Sequence, residues 1–179
     1  LNRLNTLVFS SGGINGIYFI GCLKALEEYN IINDITKVIG TSVGAMCATL
    51  VALQYSFDEL RGALLHIDTA LLLNISLDNI ISFSEDLGIE NGDKFLKVMR
   101  VFLKQKTGNA DITFAELYKW NPVRLIISGT CLNTSTLDYF DYINTPHMKV
   151  IDALRISISI PLLFTPAKYN NKLYVDGAV

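Results

Sequence analysis

The sequence predicts an α/β domain built on a largely parallel sheet. Short β-rich runs alternate with longer helical patterns along the chain, and two of those runs lead straight into glycine-rich turns that each open a helix. The chain has 179 residues, 50% of them hydrophobic and only 18% charged, which is one domain's length and enough to bury a sizeable core. No linker, repeat or low-complexity stretch divides it, so residues 1–179 are read as a single domain.

Leu7-Val8-Phe9 is a first buried strand that runs into Ser10-Ser11-Gly12-Gly13. Over residues 17–29, Ile17, Ile20, Leu23 and Leu26 recur on one helical stripe. Residues 36–39 make a second strand, and residues 45–53, apolar all round, a buried helix. Ser56-Phe57-Asp58-Glu59 and Thr113-Phe114-Ala115-Glu116 both have capping-box spacing, so a helix starts at each. Residues 68–83 between them are rich in leucine and isoleucine but hold no single period. Phe95, Val98, Met99, Phe102 and Leu103 give an amphipathic helix closed by Thr107-Gly108. Residues 123–128 form a strand and residues 136–142 alternate as another. Residues 151–158 are helical and stop before Pro161, and residues 167–169 and 173–175 make a hairpin through Asn170-Asn171.

Composition excludes several functions. The longest uncharged run, residues 38–57, contains glycine, serine, threonine and glutamine, and fits a strand-turn-helix better than a membrane span. No basic segment followed by an apolar core marks a signal peptide. A net charge of −2 without blocks of like charge argues against nucleic acid. Cys22, Cys47 and Cys131 are not spaced for zinc; they read as buried small hydrophobes in a reducing compartment, hence a cytoplasmic protein.

Three motifs carry chemistry. Gly40-Thr41-Ser42-Val43-Gly44 fits the G-x-S-x-G elbow, in which a sharp strand-to-helix turn projects a serine hydroxyl at the positive end of a helix. A glycine-flanked helix cap would look the same. Ser11-Gly12-Gly13-Ile14-Asn15-Gly16 also joins a strand to a helix. A dinucleotide fingerprint would need glycine at residue 11 and an acid ending the second strand, and a P-loop would need lysine where Cys22 stands. An oxyanion hole remains open, provided a nucleophile lies nearby. Asp176-Gly177 follows the strand Leu173-Tyr174-Val175, where an aspartate is ordinarily a turn residue.

In this order and spacing the three motifs resemble the patatin-like phospholipase family, as do "ITFAELY", "GTCLNTST" and "DALRISISIPLLFTPAKYNNKLYVDGA", so that the resemblance covers residues 7–178. It implies a three-layer α/β/α sandwich with a mostly parallel central sheet. It implies a Ser42–Asp176 catalytic dyad, an oxyanion hole from the backbone of Gly12, Gly13 and Ile14, and supporting roles for Gly16, Gly40, Gly44 and Gly177. The implied activity is hydrolysis of phospholipid or other lipid esters at a membrane or micelle periphery, with no metal or cofactor. Residues 70–83 read either as a core-packing helix and loop or as a wall for the acyl chain. The sequence departs from the family's glycine loop at Ser11, where glycine is usual, and at Asn15, where a basic residue is usual. The family's domain also continues past the D-G-A motif, so closing secondary structure is expected beyond Val179.

Two other functions compete. A Ser-His-Asp hydrolase or acyltransferase would need His66 or His147, and in the α/β-hydrolase order the histidine follows the acid. A non-catalytic lipid-binding module would suit Ser11 and Asn15.

Overall fold

The structure, a computed structural model, describes residues 4–66 and 92–179. The stretch 70–83, read as core or as an acyl-chain wall, lies outside the described residues. The sheet is built from β1 (Thr6–Phe9), β2 (Lys37–Gly40), β3 (Arg124–Cys131), β4 (Thr136–Phe140), β5 (Ala167–Tyr169) and β6 (Lys172–Asp176). Between them run α1 (Ile17–Glu28), α2 (Val43–Ala52), α3 (Phe57–His66), α4 (Asp93–Thr107), α5 (Phe114–Trp120) and α6 (Val150–Ser157). The fold is α/β, with a parallel centre: β1 pairs with β2 and β2 with β3, and two antiparallel hairpins, β3–β4 and β5–β6, complete the sheet.

The registers on β3 decide where the two ends of the site fall. β4 takes one edge of β3 from Ile127 to Cys131, so β2 and β6 must share the other. β2 occupies its lower half, ending with Gly40 opposite Ile127, and β6 its upper half, ending with Asp176 opposite Gly129. The two strands therefore point head to head, and only Ser128 separates their last partners.

Period-two alternation puts Phe9, Gly40, Ile127 and Gly129 on one face of the sheet. Helices α1, α2 and α6 cover that face: Phe9 meets Phe19 edge-on at 5.3 Å, and Gly40 and Gly129 leave room for α2 and for Ile156 of α6. Fully buried Val38, Ala45, Ala48, Leu53, Ile127, Leu154 and Ile156 lie in the core beneath.

Local chemistry explains the element boundaries. Thr113 and Glu116 form the full capping box of α5, and Ser56 and Glu59 exchange the same two bonds at α3, at 2.8 and 3.2 Å. Gly108 closes α4 in the left-handed region at φ 76°, and Asn170 and Asn171, at φ 46° and 60°, make the hairpin turn. Three expectations need correction. The first strand is covered on one face only, since Val8 of β1 is exposed while Phe9 is buried. Ile17 is exposed, because the first turn of α1 stands off the core that its later residue Leu23 enters. Of the cysteines only Cys131 is buried; Cys47 is partly covered and Cys22 is exposed, since a helical periodicity read without a partner surface does not say which side faces inward.

Helix α2 sits directly on the end of β1. A Cβ on Gly44 would lie 2.3 Å from the Phe9 carbonyl oxygen and 2.4 Å from that of Ser10, and backbone cannot give way as a side chain can. Gly44→Ala should therefore destabilise the protein by about 3 kcal/mol, the upper range for overpacking. Gly21→Ala, on the exposed side of α1 with nothing within 4 Å of the new methyl, should stabilise it by about 0.5–1 kcal/mol. Urea denaturation of both variants checks the pair of signs.

Candidate active site

Ser42 is the residue between β2 and α2, and its backbone is strained. Its φ of 58° and ψ of −129° lie where side chains other than glycine's rarely go, at a cost of about 1–3 kcal/mol. It occupies the cap position of α2, yet its side chain makes no capping bond. This separates the two meanings the sequence left open at residue 42: the hydroxyl is not spent on the helix. It faces the carboxyl of Asp176 instead, close enough to favour that group's ionised form. Both residues are nearly enclosed, 4% and 2% exposed.

The head-to-head ends of β2 and β6 create this meeting. Asp176 ends its strand opposite Gly129, and one of its oxygens accepts the Ala178 N–H at 2.9 Å. Ser42 lies two residues past Gly40, where the chain turns out of the sheet. Ser128, midway between the two ladders, bonds through its hydroxyl to that of Thr41 at 2.6 Å. The same hydroxyl stands 2.5 Å from where a Cβ on Gly177 would be, so a side chain there would push Asp176 off its strand end. The Ser42 N–H donates to the Ser157 hydroxyl at 2.9 Å. Ser128 and Ser157 belong to none of the three sequence motifs; each is a serine that directly follows an isoleucine.

The glycine loop lies beside this elbow. Residues Gly13–Gly16 form a 3-10 turn, with the Asn15 N–H on the Gly12 carbonyl at 3.0 Å and Gly13 at φ 51°. Gly16 packs against Val43, the residue after Ser42, so closely that a Cβ would lie 2.3 Å from a Val43 methyl. Gly40 is held as tightly, 2.3 Å from the Gly44 carbonyl. The loop containing Gly12, Gly13 and Ile14 and the amino end of α2 thus flank one another, and backbone N–H groups from both favour negative charge nearby. Ser11 and Asn15 are exposed.

His147 is exposed in the turn before α6, and His66 ends α3. His147 is not among the groups that act on Asp176, which are Ser42 and the Ala178 N–H. Among the described residues no cluster of three potential metal ligands occurs. An apolar cavity bounded by Phe9, Phe19, Leu23, Cys47 and Leu60 measures about 10 Å³, too little for an acyl chain.

An elbow serine facing a buried carboxylate beside a glycine loop defines an α/β protein of the serine-elbow kind. The chain belongs to the patatin-like phospholipase family, whose match runs over residues 7–179. It is 33% identical over 176 residues to a protein of Invertebrate iridescent virus 6 named "Probable lipid hydrolase 463L", covering 97% of this chain and 59% of that one. It is 32% identical over 177 residues to R571 of Acanthamoeba polyphaga mimivirus, covering 98% of this chain and 58% of that one. The crystal structure of VipD from Legionella pneumophila superposes with a TM-score of 0.71 at 19% identity, covering 99% of this chain and 46% of VipD, and so shares the fold. The chain spans about three fifths of the length of these curated relatives.

Burial pushes the Asp176 carboxyl above the ordinary aspartate range, and the bonds from Ser42 and Ala178 only partly offset it. The folded state therefore holds this proton to higher pH than the unfolded chain does. Stability falls as pH rises from the unfolded value through the folded one, and the full cost is present above it. Asp176→Asn, which keeps the shape without the charge, should melt higher than the native protein at neutral pH. The advantage should shrink as the pH is lowered below the aspartate range, as thermal melts across pH will show.

Proposed function

We propose that this domain hydrolyses acyl esters of phospholipids or other lipids, with Ser42 as nucleophile and Asp176 as base. The observation that carries this reading is the strained elbow at Ser42, whose uncapped hydroxyl faces the enclosed Asp176 carboxyl. Family membership and a viral relative named as a lipid hydrolase support the substrate class.

The chemistry balances with these groups and water. The Ser42 oxygen attacks the ester carbonyl carbon, forming a C–O bond while its proton passes to Asp176. The carbonyl oxygen becomes an oxyanion, held by N–H groups of residues 12–14 beside the amino end of α2. The intermediate collapses by breaking the bond to the alcohol, which leaves with the proton from Asp176. Water, giving its proton to Asp176, then attacks the acyl-serine. The second tetrahedral intermediate releases the fatty acid, and Ser42 recovers its proton. An aspartate takes the part that histidine plays in a triad, and burial helps it because a base works best with a pKa closer to the working pH.

A lipid aggregate brings its ester to the protein surface, so the working location is the periphery of a membrane from the cytoplasmic side. No helix among the described residues is long and apolar enough to cross one.

The complete protein should hydrolyse lipid esters and react with a fluorophosphonate probe at Ser42. Ser42→Ala should abolish both. Asp176→Asn should lower turnover by about a thousandfold or more, because nucleophile and base act as a unit. His147→Ala should keep most activity. The acid limb of the rate profile should fall at a pH above the ordinary aspartate pKa, since Asp176 must be ionised to accept the proton. Labelling that persists at another serine in Ser42→Ala would overturn the assignment of the nucleophile. A thousandfold loss in His147→Ala would favour a triad, and a native protein that binds lipid vesicles without labelling would be a binding module.

A further inference from the structure

The sheet fixes Asp176 but not Ser42. Asp176 is still in the ladder, opposite Gly129, whereas Ser42 lies two residues beyond the last pair of β2 and bears an unfavourable φ of 58°. Something outside the sheet must hold its backbone in that conformation.

The carboxyl end of α6 does so. The buried hydroxyl of Ser157 accepts the Ser42 N–H at 2.9 Å, and two residues on, the carbonyl of buried Ser159 accepts the Asp176 N–H at 2.9 Å. One short segment, Ser157-Ile158-Ser159, therefore holds the main chain of both residues whose side chains meet. The segment is itself braced. The Ser159 hydroxyl donates to the Arg155 carbonyl at 2.7 Å and receives the Arg155 guanidinium, which also bonds the Thr165 carbonyl at 2.7 Å. Ile156 locks the helix over Gly129, where a Cβ would come within 2.2 Å.

We propose that Ser157 is a positioning residue: its hydroxyl holds the strained Ser42 backbone, and the Ser157–Ser159 bracket sets the angle and distance at which Ser42 meets Asp176. Its side chain does not touch the reacting atoms. Without it, a buried N–H loses its acceptor and the elbow can relax toward ordinary backbone angles, which swings the Ser42 hydroxyl away from its base. The effect on reactivity rests on the proposed role of Ser42; the effect on the backbone does not.

Both are measurable in the complete protein. In Ser157→Ala the fluorophosphonate labelling rate and kcat, each corrected for the titrated number of active sites, should fall about tenfold or more, as misaligned nucleophiles do. KM should stay within about twofold, since substrate contacts are untouched. Ser157→Thr, which keeps the acceptor oxygen, should regain most of the rate. Thr49→Val removes an equally buried hydroxyl, bonded to the Ala45 carbonyl at 2.8 Å within α2, and should keep the native per-site rate even if it melts lower. In the native protein the Ser42 amide should exchange slowly with deuterium, and faster in Ser157→Ala. An unprotected Ser42 amide in the native protein, or equal per-site rates in native and Ser157→Ala proteins, would overturn the proposal. If the native protein does not label at all, the nucleophile assignment fails, and amide exchange still decides whether the bracket exists.

Discussion

One edge of β3 carries two strands that run toward each other, and the site depends on this. β2 climbs to Gly40 and β6 descends to Asp176, with a single residue, Ser128, between their last partners. Neither strand can go further without colliding with the other. The chain must leave the sheet at both ends, and the two exits bring a hydroxyl and a carboxylate into contact. An open sheet whose strands ran past one another would hold Ser42 and Asp176 on separate edges.

Close backbone packing makes the first exit sharp enough. Helix α2 starts against the carbonyls of Phe9 and Ser10, and the glycine loop packs against Val43 at the position of Gly16. Three small residues, Gly16, Gly40 and Gly44, thus let β1, the loop, β2 and α2 converge within a few ångströms of Ser42. The strain at Ser42 is sustained because its surroundings over-determine it: the helix that follows, the Thr41–Ser128 bond and the acceptor at Ser157 all fix the chain on either side.

The second exit costs stability of another kind. Asp176 is enclosed, and its ionised form is penalised by that burial more than its two bonds recover. A domain selected for stability alone would place a neutral amide there. Strained backbone at Ser42 and a disfavoured charge at Asp176 are two departures from local preference, and they fall on residues in contact with each other. Such concentrations are expected where a structure serves chemistry rather than packing.

Much of this was legible in the sequence. Alternation of strand and helix patterns gave the α/β class, capping boxes at Ser56 and Thr113 placed two helix starts, and Asn170-Asn171 placed the hairpin, because each rests on contacts within a few residues. The motif glycines were legible for the same reason, since their spacing follows from turns. The resemblance to the family, carried by the order and spacing of three motifs, pointed to Ser42 and Asp176. It did not distinguish a capping serine from an uncapped one, nor say which side of α1 or which cysteine would be covered. Those outcomes depend on partners far along the chain: Asp176 lies 134 positions from Ser42, and Ser157 lies 115 from it. Periodicity and propensity carry no information over such separations. Only the pairing of β2 and β6 on one strand, and the packing of α6 above Gly129, decided which hydroxyl meets the carboxylate and which one holds the backbone behind it.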